Sequence, residues 1–231
     1  MAHTTPLLND NAEAMTYNSL VQDIRDYLER GDTGDSTVLR QIPRVINNSE
    51  RTLANKLKIT GYLASYTNKM NLNENRIAKP QNWRATASIN FGAPSGVQPF
   101  TTYNKRTFLR ERSYEYMRAI YPDDRMLNAP EFYCDYDLEH WLVLPTPADF
   151  YPFEAVCYIL PPLLDNHNQQ NYLTKYAPFL LLYTCLTGME PFLRNDSRIA
   201  TWKALADENF AAINAEDVRR MADRGQMRTT N

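Results

Sequence analysis

Residues 130–162 read PEFYCDYDLEHWLVLPTPADFYPFEAVCYILPP, and this stretch decides the fold class. The run HWLVL, from His140 to Leu144, is continuously apolar and stops at Pro145-Thr146-Pro147. Proline fixes φ and has no N–H to give a strand ladder, so the strand must end there and the chain must turn. From Phe150 to Leu160 aromatic and β-branched residues resume, until Pro161-Pro162 close the segment. The spacing predicts a hairpin about the proline turn. Ahead of it Phe132, Cys134 and Tyr136 alternate with Tyr133, Asp135 and Asp137, the period of two of a strand with one wetter face.

The neighbouring sequence has a different rhythm. Thr16 is placed to cap a helix whose face is Leu20, Val21, Ile24, Tyr27 and Leu28, ending at Gly31. Ser36 caps a brief turn through Leu39, and Pro43 fits the first turn of a longer helix reaching Lys58, with Val45, Ile46, Ser49, Leu53 and Leu57 on one face. Between residues 59 and 164 short extended runs are broken by Pro, Gly and Asn. Strands are predicted near 61–68, 84–91, 107–109, 131–137, 139–144 and 153–160, with one helix over 112–121 and an exposed loop over 92–102. Past Asn171, residues 172–187 are apolar on almost every side, as suits a helix at the centre of a bundle. A last helix, capped by Asn195 or Asp196, carries Ile199, Trp202, Ala206, Phe210 and Ile213 at steps of three or four.

Two helices, a β-rich stretch and two further helices point to an α+β, mainly helical fold. The terminal helix pairs are expected to meet as one four-helix bundle that carries a β-rich insert. The organisation read from the sequence is a flexible arm over 1–15, the bundle over 16–58 and 171–218, the insert with one short helix over 59–165, and a flexible tail over 219–231.

The composition bounds the function. A chain of 231 residues with 43% hydrophobic and 23% charged residues buries a sizeable core and is not generally disordered. A net charge of −2 argues against a dedicated nucleic-acid binder, which needs a basic excess to displace counterions from phosphates. The 15 tyrosines suit subunit interfaces as well as a tyrosine-rich core. Cys134, Cys157 and Cys185 are far apart and form no C-x-x-C pair, which reads as free thiols in a reducing cytoplasm. No window reaches the roughly 18 apolar residues of a membrane span.

The sequence holds no phosphate-binding glycine loop, no H-E-x-x-H and no G-x-S-x-G, and only 7 glycines in all. Asp135 and Asp137, with Glu139 and His140 beside them, are the best acidic cluster. Residues at i and i+2 share a strand face, so the two aspartates are placed to bind a cation or work as an acid/base pair. Solvated carboxylates at a strand end are the commoner arrangement, and His140 beside Trp141 reads as a packed histidine. His167 reads as a loop residue and His3 as part of the arm. Lys105-Arg106 with Arg110 and Arg112 suit a phosphate or an acidic partner, or simply a solvated face. We therefore expect no catalytic residue, no metal ligand and no cofactor.

Several segments, taken together and in order, carry a family likeness: TYNSLVQDIRDYLERGD, QIPRVINNSERTLANKL, AKPQNWR, RSYEYMRAIYP, the 130–162 stretch with the two leucines that follow it, NYLTKYAPFLLLYTCL and PFLRNDSRIATW. The chain resembles the head-to-tail adaptor (connector) family of short-tailed bacteriophages over residues 16–224, least closely at 60–75 and 92–102. The resemblance implies a virion structural protein made in the host cytoplasm and placed at the head–tail junction. It implies a homo-oligomeric ring, expected to be a dodecamer, that binds the portal protein, meets the tail or nozzle protein and tail fibres, and lines the DNA ejection conduit. Double-stranded DNA would pass without specific binding, and no membrane is involved. The resemblance does not predict the arm before Thr16; beside it we expect the two mobile termini, 1–15 and 219–231, to order on the portal or on a neighbouring copy. Because related adaptors have been linked to cell-wall hydrolysis, the alternative is a peptidoglycan-hydrolysing glycosidase drawing on Glu111, Glu115, Asp135 or Asp137. A third reading is a helical interaction module unconnected with a virus.

Overall fold

The computed structural model describes residues 14–29, 36–94, 105–192 and 197–226. In chain order it has α1 (Tyr17–Tyr27), α2 (Ser36–Lys56), a 3-10 turn (Thr60–Tyr62), β1 (Leu63–Met70), β2 (Arg76–Ala78), β3 (Trp83–Phe91), β4 (Thr107–Phe108), β5 (Arg110–Glu111) and α3 (Tyr114–Ile120). Then come β6 (Leu127–Asn128), β7 (Phe132–Asp135), β8 (His140–Leu144), β9 (Thr146–Pro147), β10 (Tyr151–Ile159), α4 (Tyr172–Tyr176), α5 (Pro178–Gly188), a second 3-10 turn (Glu190–Phe192) and α6 (Ile199–Gln226).

The chain is a mixed α/β protein, 44% helical and 25% strand, which corrects the expected mainly helical four-helix bundle with a β-rich insert. Among the described residues six helices form where five were predicted. One reason is local: the apolar run 172–187 is two helices, because Pro178 crowds the residue before it out of the α region, and Ala177 accordingly sits at φ −142°, ψ 47°. Pro178 then opens α5 without loss, since an N–H at the first turn has no intrahelical acceptor.

Contacts divide the chain into two compact units, Met1–Gly61 with Pro161–Asn231, and Tyr62–Leu160. In the helical unit α1, α2, α4 and α6 all pack on α5. That explains why α5 is apolar all round, with Leu180, Leu181, Leu182, Cys185 and Leu186 buried. Thr16 caps α1 as its sequence predicts: its Oγ1 accepts from Ser19 N at 3.1 Å, while Ser19 Oγ accepts from Thr16 N at 2.8 Å. The predicted break before Pro43 is absent. One helix runs from Ser36 to Lys56 with Pro43 inside it, and Ile42 and Ile46 on either side of the proline are fully buried. Packing on that face outweighs the ladder bond the proline cannot make. At the other end α6 continues through Gln226, beyond residue 219 where the sequence reading starts a tail.

The second unit has a four-stranded sheet in the order β1-β10-β3-β4, another in the order β2-β8-β7-β5, and a parallel pair β6-β9. The predicted hairpin about Pro145-Thr146-Pro147 is not there. β8 pairs with β7 and β2, whereas β10 pairs with β1 and β3 in the other sheet. The proline segment therefore carries the chain from one sheet to the other, and the two apolar runs meet face to face, with Trp141 edge-on to Phe153 at 6.3 Å. The true hairpin is β7–β8, with Phe132 opposite Leu144 and Asp135 opposite Trp141. Its strands lack the expected wet face, because Tyr133, Trp141 and Val143 enter the core with Met70, Ile89 and Phe153, while Phe132, Cys134, Leu142 and Leu144 close over Met117 of α3. A sheet covered on both faces accepts a continuous apolar run.

Candidate interaction surfaces

The β7–β8 turn brings Asp135, Asp137, Glu139 and His140 close together, yet the side chains of Asp135, Asp137 and His140 are bound to the scaffold. Asp137 Oδ1 accepts from Glu139 N at 2.7 Å, His140 N at 2.6 Å and His140 Nδ1 at 3.1 Å, so this carboxylate shapes the turn. Desolvation works to raise its pKa, but the two backbone donors and the imidazole prevail and hold it below the ordinary value. Asp135 Oδ1 lies 3.2 Å from Lys79 Nζ and accepts from Thr86 Oγ1 at 3.2 Å. Thr86 Oγ1 in turn accepts from both indoles, Trp83 Nε1 at 3.1 Å and Trp141 Nε1 at 2.8 Å. Lys79 fills the space between the rings, 3.5 Å from the Trp83 centroid and 5.8 Å from that of Trp141. Asp135 thus completes a polar network that ties β2, β3, β7 and β8 together.

The other candidate groups are spread out. Glu111 lies on β5 and Glu115 on α3, both exposed. Arg106 Nη1 binds Glu154 Oε2 at 2.5 Å, and Glu154 also accepts from Ser65 Oγ at 2.7 Å. Arg112 Nη1 donates to Glu111 O at 2.8 Å. His167 N donates to Asp165 Oδ1 at 2.6 Å in the link before α4, while His3 lies outside the described residues. The three cysteines are buried and unpaired by disulfides, and burial pushes the thiols of Cys157 and Cys185 up to about 12. Among the described residues no three His, Cys, Asp or Glu side chains converge as metal ligands.

A cleft of about 460 Å³ opens in the helical unit between α2, α5 and α6. Val45, Leu53 and Phe210 give it apolar walls, Lys56 and Lys203 give it cations, and among the described residues Asp207 is its one lining carboxylate. Glycoside hydrolysis needs two carboxyl groups flanking the bond, and this cleft does not supply them.

What the surface does supply is aromatic. On the helical unit Tyr176 is 69% exposed and Phe179 is 57% exposed, on either side of the break at Ala177. Tyr176 packs on Tyr172 at 5.0 Å between centroids, and Phe179 stacks on Tyr183 at 6.2 Å. On the β unit Tyr114, Tyr116 and Tyr136 are exposed, and each has a guanidinium over its ring, from Arg118, Arg112 and Arg76 in turn. Phe108 and Leu138 are bare at 63% and 78%. Tyrosine and arginine dominate the binding energy of protein interfaces, because a rigid ring covers much area at small entropic cost. Sequence periodicity missed these residues as a surface, since an aromatic inside an apolar run reads as core. The signal was the tyrosine pair at i and i+2 on α3, which one buried stripe cannot absorb. It also missed Lys79, whose Pro80 turn hides its closeness to Trp83.

Compared with known families, residues 15–230 match the model described as SU10 adaptor protein. No curated protein matches the chain. No described helix is long and apolar enough to cross a membrane.

Proposed function

Because this chain belongs to the SU10 adaptor protein family, and so is a phage structural adaptor and a virion component, we propose that it forms a ring between the portal and the tail. The observation that carries this reading is the pairing of bare aromatic surfaces on both units with the binding of Asp135 and Asp137 into the scaffold. Such a surface is built to be covered by protein rather than to turn over a substrate.

In this reading the exposed rings of α4 and α5 pack copies side by side, and the tyrosine–arginine surface of the β unit faces the tail or nozzle and fibres. A heterologous contact repeated about an axis closes a ring with a central hole, twelve-fold if it matches the expected stoichiometry. DNA passes through that hole, and a chain of net charge −2 has little hold on it. The arm over 1–15 and residues 219–231, which α6 enters as far as Gln226, add docking area on the portal or on a neighbouring copy.

The test is to mix the purified chain with isolated portal and image the product by electron microscopy. A ring added beneath the portal is the expected result, and a portal that stays bare at micromolar chain overturns the reading. A lysis band in a peptidoglycan zymogram that vanishes on Asp135→Asn or Glu115→Gln would favour the hydrolase instead.

A further inference from the structure

Sheets end in edges, and natural proteins blunt them with short strands, proline, bulges or a covering element. Four edges of the β unit are blunted in these ways. β2 is three residues long and runs into Lys79-Pro80, and β4 and β5 have two residues each. The outer side of β3 is distorted twice, because its register with β10 shifts at Val156/Cys157 and at Tyr158/Ile159 and leaves Ala87 and Arg84 as extra residues. β1 differs from all of these. It pairs with β10 in unbroken register from Leu63↔Tyr158 to Met70↔Tyr151, contains no proline, and has no strand on its other side among the described residues. Ser65, Thr67, Asn68 and Lys69 are exposed.

At one end of this edge is a cleft of about 270 Å³, lined by Asn68, Lys69, Glu74, Arg76 and His140 among others. Its two permanent cations rest on aromatic rings: Lys69 Nζ is 5.6 Å from the Phe150 centroid, and the Arg76 guanidinium is 4.6 Å from that of Tyr136. Among the described residues neither reaches a carboxylate. Glu74 is engaged by Asn71 Nδ2 at 2.8 Å, and His140 is held by Asp137.

We propose that β1 is a strand-addition edge, and that its occupant is an extended, carboxylate-bearing segment of another virion protein. The segment's backbone pairs with the open side of residues 63–68, short of Lys69 N, from which Asn68 Oδ1 already accepts at 2.9 Å, and its carboxylate meets the Lys69 and Arg76 side chains. A second copy of the chain is the poorer occupant, because its remaining edges are short or bulged. Pairing β1 with β1 gives a two-fold contact, which joins copies in pairs and does not close a ring. The proposal rests on the adaptor reading and names how one partner is held.

Amide hydrogen exchange tests it on the chain alone, on the chain bound to portal, and on that complex with the tail-side protein added. Alternate amides of residues 63–68 should slow by about tenfold or more when one of the two partners binds. Unchanged exchange in every complex overturns the proposal, as does slowing in the chain alone as its concentration rises. Thr67→Pro and Asn68→Pro remove N–H groups that point to opposite sides of the strand, so one breaks the β10 ladder and the other spares it. The variant that keeps the wild-type circular dichroism should bind the protecting partner on the order of tenfold more weakly, and binding within twofold of wild type sinks the idea. The double variant Lys69→Glu, Arg76→Glu leaves every backbone donor in place and should also bind about tenfold more weakly, with unchanged binding counting against the proposal. A chain that never joins the portal overturns the adaptor reading. A chain that joins it while residues 63–68 exchange as in the free protein overturns only the strand addition.

Discussion

Lys79 reaches past β8 to Asp135, Nζ to Oδ1 at 3.2 Å, from a side chain that is 1% exposed while its partner is 41% exposed. The same ammonium donates to Asp137 O at 2.7 Å and lies on the Trp83 ring. A buried cation persists only where acceptors and ring faces replace the water it has lost.

Lys79→Ala should therefore destabilise the protein by about 3 kcal/mol, as it empties the space between two indoles and leaves Asp137 O without its donor. Lys79→Met keeps the stem and should recover about half of that loss. Asp135→Asn should cost about 1 kcal/mol, because its carboxylate is half in water. Urea denaturation reads all three, and a Lys79→Ala protein as stable as wild type would show that the network is dispensable.

Glu50 gives a pH signature. It is buried on α2, accepting from Leu164 N at 3.0 Å and Asn171 Nδ2 at 2.5 Å, and desolvation raises its pKa above the ordinary 4.5 despite those donors and Arg51. An acid whose folded pKa is raised binds more protons folded than unfolded. Its contribution is full below 4.5 and is lost as pH rises through the higher folded value. Glu50→Gln should flatten the wild-type fall in stability between pH 4.5 and neutrality, at a cost of about 1 kcal/mol from the donor its amide cannot meet. Asp23 is also raised, so the informative quantity is the difference between variant and wild type. Parallel stability curves would refute the assignment.

Sequence made legible what is local and hid what is distant. The Thr16 cap and the short helix ahead of Pro122 depend on residues within one turn, and both stand in the structure. Strands of two or three residues, β2, β5, β6 and β9, are too short for any period to mark. The hairpin error has a different origin. Two apolar runs flanking a proline turn look alike whether they pair in one sheet or face each other from two, and only the distant partners decide it, β2 some sixty residues from β8 and β1 more than eighty from β10. For the same reason Asp135 was visible as an acid while Lys79, which fixes its role, was not. The acids alone resembled a site; their partners make them scaffold.

Gly61 stands against the ring of Tyr172, and a Cβ there would overlap that ring. Gly61→Ala should destabilise the protein by about 1–3 kcal/mol by driving the tyrosine off its position. In a Tyr172→Ala background the same change should cost much less, since the obstruction is gone. A double-mutant cycle by thermal or chemical denaturation measures the coupling. Additive costs would mean that Gly61 is needed for its backbone alone.

Tyr176 and Phe179 link the surface to assembly. Each already packs on one neighbouring ring, so truncation removes little from the folded monomer, and Tyr176→Ala with Phe179→Ala should shift its stability by no more than about 1 kcal/mol. If copies meet through these rings, the same pair of changes removes two aromatic anchors from every interface of the ring. Each anchor contributes on the order of 1–2 kcal/mol, and the loss recurs at each contact. Assembly should therefore need a chain concentration tenfold or more above wild type, read by native mass spectrometry or by sedimentation of the chain with portal. A conservative Tyr176→Phe change keeps the ring and should assemble normally. Full assembly by the double alanine variant would move the copy-to-copy contact away from α4 and α5, and would leave the tyrosine–arginine surface of the β unit as the remaining aromatic face on which copies could join.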